Sequence, residues 1–273
     1  MQIFIDGQWV DHTKATISVQ DIIVLRGFGI FDYLRTYGTN PFRLDDHIER
    51  FYNSARLMGM TVKYSREELT TILNEGIKRN GFAHTNVKFI QTGGISEDGF
   101  IPASEQTFFA YFYEATDIPQ ETYEKGISVK TSPLMRQLPL AKTINYAASI
   151  VEVQKALAQG AIDIIHTDAD GNMYEATRAN LFGVKDGVLI TAGEGVLLGI
   201  SRKVILEIAE KLQLPVEFRF IHTSEIDTLD EAFVSNSLYE VMPVTEIDGV
   251  VLSGGKAGEM SQMLLKEFRK EIQ

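Results

Sequence analysis

The chain has 273 residues, 44% of them hydrophobic, no cysteine and a formal charge of -11 at pH 7. That length and apolar content suffice for one large domain or two modest ones with a sizeable core. The negative charge argues against nucleic acid and anionic membrane as partners, and the missing cysteines exclude disulfides, thiolate metal sites and thiol catalysis. His12, His47, His84, His166 and His222 lie far apart and form no metal-spaced pair. The start lacks the basic end and apolar run of a signal peptide, and no window reaches the roughly 18 to 20 apolar residues of a membrane span. A cytoplasmic protein is the expectation.

In chain order, Ile3-Phe4-Ile5, a turn at Asp6-Gly7 and Trp9-Val10 predict a hairpin. The stretch Val24 to Tyr37 passes from glycines into a strand of alternating character. Residues 45 to 59 read as a helix with Ile48, Phe51, Tyr52, Ala55 and Met58 on its apolar stripe and Arg50 off it. Ser65-Arg66-Glu67-Glu68 is a capping box for a second helix that Asn80-Gly81 stops. Strands follow near 86 to 92 and 106 to 113, separated by a loop, Gly93 to Gly99, expected to be mobile.

Residues 116 to 120 read as a linker, which divides the chain into a small domain, 1 to 115, and a larger one, 121 to 273. Beyond it the pattern predicts a strand at 127 to 131 and a helix at 147 to 159 with Ile150, Val151, Leu157 and Ala158 on its apolar side. Strands near 161 to 167, 180 to 184 and 187 to 191 precede a helix at 201 to 212. A strand at 216 to 220, a short helix after Thr223, strands near 231 to 235 and 241 to 247 and a final helix at 256 to 271 complete it. Strands do not alternate regularly with long crossover helices, so an α+β class is expected over a doubly wound nucleotide fold.

Gly193, Gly195 and Gly199 have the wrong spacing for a dinucleotide fingerprint, and Asp168 to Asn172 reads as a β-turn, not a calcium loop. Leu198-Gly199-Ile200-Ser201-Arg202 leads directly into a helix whose first N-H groups suit a phosphate.

Five stretches in order then resemble the class IV aminotransferase family, the fold type IV pyridoxal phosphate enzymes. They are His47-Ile48-Glu49-Arg50-Phe51, Ala141-Lys142-Thr143-Ile144-Asn145-Tyr146, Tyr174 to Phe182, Leu198 to Arg202, and Phe233 to Ser237 running on to Glu246-Ile247-Asp248-Gly249. The family includes branched-chain and D-amino acid aminotransferases and 4-amino-4-deoxychorismate lyase. The resemblance implies a small N-terminal α/β sandwich domain, a larger C-terminal pseudo-barrel domain that binds pyridoxal 5'-phosphate, and a homodimer. It implies that Lys142 bonds covalently to the cofactor and later shuttles a proton, which needs a neutral amine. Glu175 would keep the ring nitrogen protonated, and Arg50, Ile200, Ser201 and Ser237 would hold the phosphate.

An amino acid substrate needs a cation for its carboxylate, with arginine the usual choice. Arg178 is the first candidate and Arg26, reaching across a dimer interface, the second; Arg35 and Lys88 follow. Gly93, Gly94 and Ser96 stand where typical D-amino acid enzymes place an arginine and a histidine, and this arginine set resembles a less common type of D-amino acid aminotransferase. The expected reaction is transfer between a D-amino acid and a 2-oxo acid. The alternatives, in order, are a branched-chain L-amino acid aminotransferase, the lyase, and a cofactor-binding protein without turnover.

Overall fold

Asp6 and Gly7, at φ 44° and 89°, turn β1 (Gln2–Ile5) back onto β2 (Gln8–Asp11), so the expected hairpin forms at the start of the chain. The computed structural model describes residues 1 to 272. They fall into two compact units, Met1–Thr116 with Leu140–Asn145, and Asp117–Pro139 with Tyr146–Gln273.

In the first unit α1 (Ile22–Arg26) precedes β3 (Gly29–Tyr37) and the short β4 (Asn40–Pro41). At five residues α1 is too short for a periodic pattern to reveal it; Asp21 caps its first turn and Gly27, at φ 64°, ends it. Next come α2 (Leu44–Leu57), α3 (Arg66–Asn80), β5 (Thr85–Thr92) and β6 (Phe108–Glu114). The strands form one antiparallel sheet in the order β2-β1-β6-β5-β3-β4.

Strand alternation sends Ile30, Leu34, Val87, Phe89, Phe108, Ala110 and Phe112 to one face, where they form the core with Ile48 and Phe51 of α2 and Leu69, Leu73 and Ile77 of α3. The predicted capping box is present, with Ser65 and Glu68 each satisfying the other's backbone N-H. A Cβ at Gly76 would fall 1.9 Å from Phe112 Cζ, so α3 approaches that ring only because residue 76 has no side chain.

The second unit opens with α4 (Gln120–Lys125), a helix where the predicted linker ends, anchored by the buried Tyr123. β7 (Ile127–Ser132), α5 (Ala147–Leu157), β8 (Asp163–Thr167), β9 (Asn172–Ala176), β10 (Asn180–Lys185) and β11 (Val188–Thr191) follow. After α6 (Ile200–Lys211) come β12 (Val216–Phe218), β13 (Ile221–His222), β14 (Glu231–Asn236), β15 (Glu240–Ile247), β16 (Val250–Val251) and α7 (Glu259–Lys270).

The ladder β10-β14-β15-β7-β8-β9 closes on itself through the Asn180–Glu175 pairing of β10 with β9, a barrel-like ring as expected for fold type IV. The α5 helix departs from its predicted face: Ile150, Val151 and Leu157 are more than half exposed, and burial falls on Ser149 and Ala156 instead. Ala156, with the partly buried Val153, packs against Ile164 of β8, while Ile150, Val151 and Leu157 stay exposed. Among the described residues no helix is long and apolar enough to cross a membrane.

Candidate active site

In the first unit the Lys142 segment is held by three backbone contacts. Phe31 N donates to Lys142 O at 3.0 Å, Ile144 N to Gly29 O at 3.1 Å, and Lys142 N to Ser54 Oγ at 3.0 Å. Ser54 in turn donates to Arg50 O, one helical turn back on α2. The stretch expected in the larger half of the chain therefore packs with the smaller one. The Lys142 amine lies 4.7 Å from the centre of the Phe31 ring.

Arg50 projects from the same helix into a buried cluster. Its Nε and Nη2 donate to the two carboxylate oxygens of Asp32 at 2.8 and 2.7 Å, and His47 Nδ1 lies 2.7 Å from the same carboxylate. Burial pushes the Asp32 carboxyl up, but the charge and hydrogen bonds of Arg50 and then of His47 outweigh it and hold it well below the usual range. His47 is lowered, chiefly by burial and against the pull of Asp32, with the charges of Arg50 and Lys142 adding to the fall.

In the second unit Glu175 of β9 is 4% exposed. One oxygen meets Arg136 Nη1 at 2.5 Å; the other accepts from Leu197 N at 3.1 Å and Asn180 Nδ2 at 3.4 Å. Arg136 sits in the loop after β7, where Leu134 O lies 2.8 Å from the Nδ1 of buried His166. Asn180 also donates to Leu197 O at 2.8 Å, tying the Glu175 carboxylate to the segment that enters α6.

That helix begins without a side-chain cap, since its N-cap is Gly199. Glycine is required there for space, not for conformation: φ is -66°, yet a Cβ would fall 2.1 Å from Asn180 Oδ1. Ile200 and Ser201 are buried in the first turn. Ser235, the register partner of Asn180, has a buried hydroxyl with no hydrogen-bond partner among the described residues, and Arg202 Nε is in the same position. A buried carboxylate suits a protonated ring nitrogen. Uncapped helix N-H groups with orphaned hydroxyl and guanidinium donors suit a phosphate. The residues of this unit therefore fit pyridoxal 5'-phosphate.

The remaining predicted residues are distributed as follows. Ser237 lies in the turn between β14 and β15, which Asn236 Oδ1 closes by accepting from Leu238 N and Tyr239 N. Arg178 is exposed in the bend between β9 and β10, its carbonyl held by Asn236 Nδ2. Its charge reaches both Asp163 and Tyr239. Arg26 ends α1 and is exposed. Arg35 is buried on β3 with its guanidinium 5.5 Å from the Tyr37 ring centre. Asp32 and Arg136 are contributors that motif reading passed over, while His47 and Asn180 stand inside the matched motifs without a role assigned to them.

The chain is similar to known proteins along nearly its whole length. Residues 29–247 match the family model for amino-transferase class IV. A D-alanine aminotransferase of Staphylococcus epidermidis is 29% identical over 277 residues, 100% of this chain and 98% of that protein. A Methanocaldococcus jannaschii protein assigned by name to the branched-chain-amino-acid aminotransferases is 30% identical over 98% of this chain and 96% of its own length. Among solved structures, the branched-chain aminotransferase of the thermophilic archaeon Thermoproteus uzoniensis with norvaline superposes with a TM-score of 0.88 at 28% identity, covering 99% of this chain and 94% of that one.

The chain thus belongs to the class IV aminotransferases, enzymes that depend on pyridoxal phosphate. It is a transaminase acting between an amino acid and a 2-oxo acid.

Proposed function

We propose that the chain transfers the amino group of a D-amino acid, with Lys142 as the residue that bonds to pyridoxal 5'-phosphate. When bound, that cofactor supplies a carbonyl to take the amino group and a ring that accepts electrons. Lys142 carries the proton to and from the substrate α-carbon. Glu175 holds the proton on the ring nitrogen, and Arg50, Ile200, Ser201 and Ser237 bind the phosphate. Arg178 binds the substrate carboxylate, with Arg26 contributed by a second copy in a homodimer of the cytoplasm and Arg35 a further cation for the substrate.

The observation that carries the reading is the buried Glu175 carboxylate, fixed through Asn180 to the start of α6. The D-preference draws on Arg178, an exposed guanidinium three residues past Glu175 whose main chain is tied to Asn236, and on end-to-end similarity to D-alanine aminotransferases. Similarity to branched-chain enzymes of solved structure favours L-leucine as the second reading.

Protein loaded with pyridoxal phosphate is expected to show a near-visible absorption band that Lys142→Ala abolishes. Half-reactions with D- and L-alanine, D-glutamate and L-leucine then decide the stereochemistry. Conversion by L-leucine alone would overturn the D-preference, and a wild type without the band would overturn the cofactor assignment.

A further inference from the structure

Arg50 and Ser54 stand one turn apart on α2, and each reaches toward Lys142 by a different route. Through Ser54 the route is a hydroxyl: Lys142 N donates to Ser54 Oγ at 3.0 Å, and that hydroxyl gives its own proton to Arg50 O at 2.8 Å. Through Arg50 it is the guanidinium, which donates to both carboxylate oxygens of Asp32 on β3 at 2.8 and 2.7 Å. The residue before Asp32 is Phe31, whose N-H returns to Lys142 O at 3.0 Å. These contacts close a circuit that begins and ends on the Lys142 backbone.

Ser54 and Asp32 are both 0% exposed, so water does not compete for these bonds. On the β3 side the lysine segment is held more than once, since Ile144 N also donates to Gly29 O and Ile30 bridges to Thr143. On the α2 side the link is the Ser54 hydroxyl. Its bond to the carbonyl four residues earlier fixes the serine rotamer and leaves the oxygen lone pairs for Lys142 N. Arg50 O keeps the helical N-H of residue 54 whatever side chain stands there, and the Arg50 guanidinium keeps Asp32.

We infer that Ser54 is a positioning residue: it fixes the Lys142 backbone against the Arg50 turn of α2, so that one cofactor molecule engages amine and guanidinium together. The inference rests on the proposed roles of Lys142 and Arg50. Pyridoxal phosphate is a rigid ring with its aldehyde and its phosphate arm on adjacent carbons. In bonding to it, the neutral Lys142 amine adds to the aldehyde carbon and the aldehyde oxygen leaves as water. A molecule held at two points gains from the second contact only as far as the two anchors already stand at its span. Ser54 acts on that match and on neither contact by itself.

The test measures equilibrium binding of two ligands to the cofactor-free protein. Pyridoxal phosphate uses both anchors, whereas pyridoxamine phosphate, with an amine in place of the aldehyde, uses the phosphate contact alone. Ser54→Ala is expected to weaken pyridoxal phosphate about tenfold, the worth of one buried hydrogen bond, and pyridoxamine phosphate less than about twofold. Ser54→Thr retains the hydroxyl and should keep the wild-type ratio of the two affinities. A general loosening of the fold would weaken both ligands alike; that result, no loss for either, or Ser54→Thr with the alanine ratio would overturn the assignment. Ser54→Cys keeps the volume of the buried side chain with a weaker acceptor, and it supplies the same ratio should the alanine variant not fold. Lys142→Ala is the control and should bind the two ligands with similar affinity. A wild-type preference retained there refutes the covalent role of Lys142 and the role of Ser54 with it, whereas failure of the Ser54 variants beside a normal control refutes Ser54 alone.

Discussion

Asp32 takes two hydrogen bonds from Arg50 and lies 2.7 Å from His47 Nδ1, all within a core where Asp32 itself is fully buried. Its carboxyl is held below its ordinary value, so the stability it contributes is present above the unfolded value of 3.8 and lost only as pH falls through the lower folded one. Asp32→Asn removes the charge but retains the shape, leaving Arg50 buried without its counter-ion. Breaking such a pair costs on the order of 3 to 5 kcal/mol. Urea denaturation at pH 7 should show a loss of that size, and the affinity for pyridoxal phosphate should fall if Arg50 needs Asp32 to orient it. A variant as stable as wild type would show that the cluster adds nothing net.

Arg136 and Glu175 make a comparable pair in the second unit, with side chains 12% and 5% exposed. Arg136→Gln should destabilise the cofactor-free protein by about 3 kcal/mol, because the carboxylate stays buried after losing its Arg136 partner, while the Leu197 and Asn180 donors and the more distant charge of Arg202 remain. Adding Glu175→Gln to that variant should recover much of the loss. A double-mutant cycle with no coupling would show that the contact is energetically idle.

The order of the motifs made Lys142, Glu175 and the α6 entry legible before any coordinates, since each stands in a short local pattern. Asp32 was legible in principle: in Gly29-Ile30-Phe31-Asp32-Tyr33-Leu34 it shares the parity of Ile30 and Leu34, which puts an acid on the core face and demands a buried partner. Arg136 was not. It is a loop residue whose relation to Glu175 depends on β7, β8 and β9 being neighbours, and no spacing along the chain encodes that. Nor was the outward face of α5, since apolar spacing marks a stripe without saying which neighbour covers it.

Gly199→Ala is expected to act through Asn180. The backbone at φ -66° tolerates alanine, so the whole effect comes from the 2.1 Å approach to Asn180 Oδ1. Overpacking of this kind costs roughly 1 to 3 kcal/mol. It should also displace Asn180 from Glu175 and Leu197, weakening cofactor binding more than melting temperature suggests. Combining Gly199→Ala with Asn180→Ala removes the clash, so stability should rise relative to Gly199→Ala alone; a further fall would place the strain elsewhere.

His166 gives the second unit an acid-sensitive point. Burial, helped by the charge of Arg136 and opposed by the Leu134 carbonyl, lowers its imidazole from 6.5 to about 4. Nδ1 is engaged by Leu134 O, while Nε2 is buried with no partner among the described residues, so a second proton would have no acceptor to meet. Below pH 6.5 the unfolded chain takes up a proton that the folded state refuses, and stability falls as pH drops, reaching its full loss near pH 4. The shift corresponds to about 3 kcal/mol. His166→Phe forfeits the bond to Leu134 and is expected to be less stable at pH 7.5, yet it should lose about 2 to 3 kcal/mol less than wild type between pH 7.5 and 4.5. Urea denaturation of both proteins across that range measures the difference in slope, which cancels the carboxylates common to both. Parallel curves would mean that the folded protein accommodates a charged His166 after all, with water or movement of the 132 to 139 loop supplying the missing acceptor.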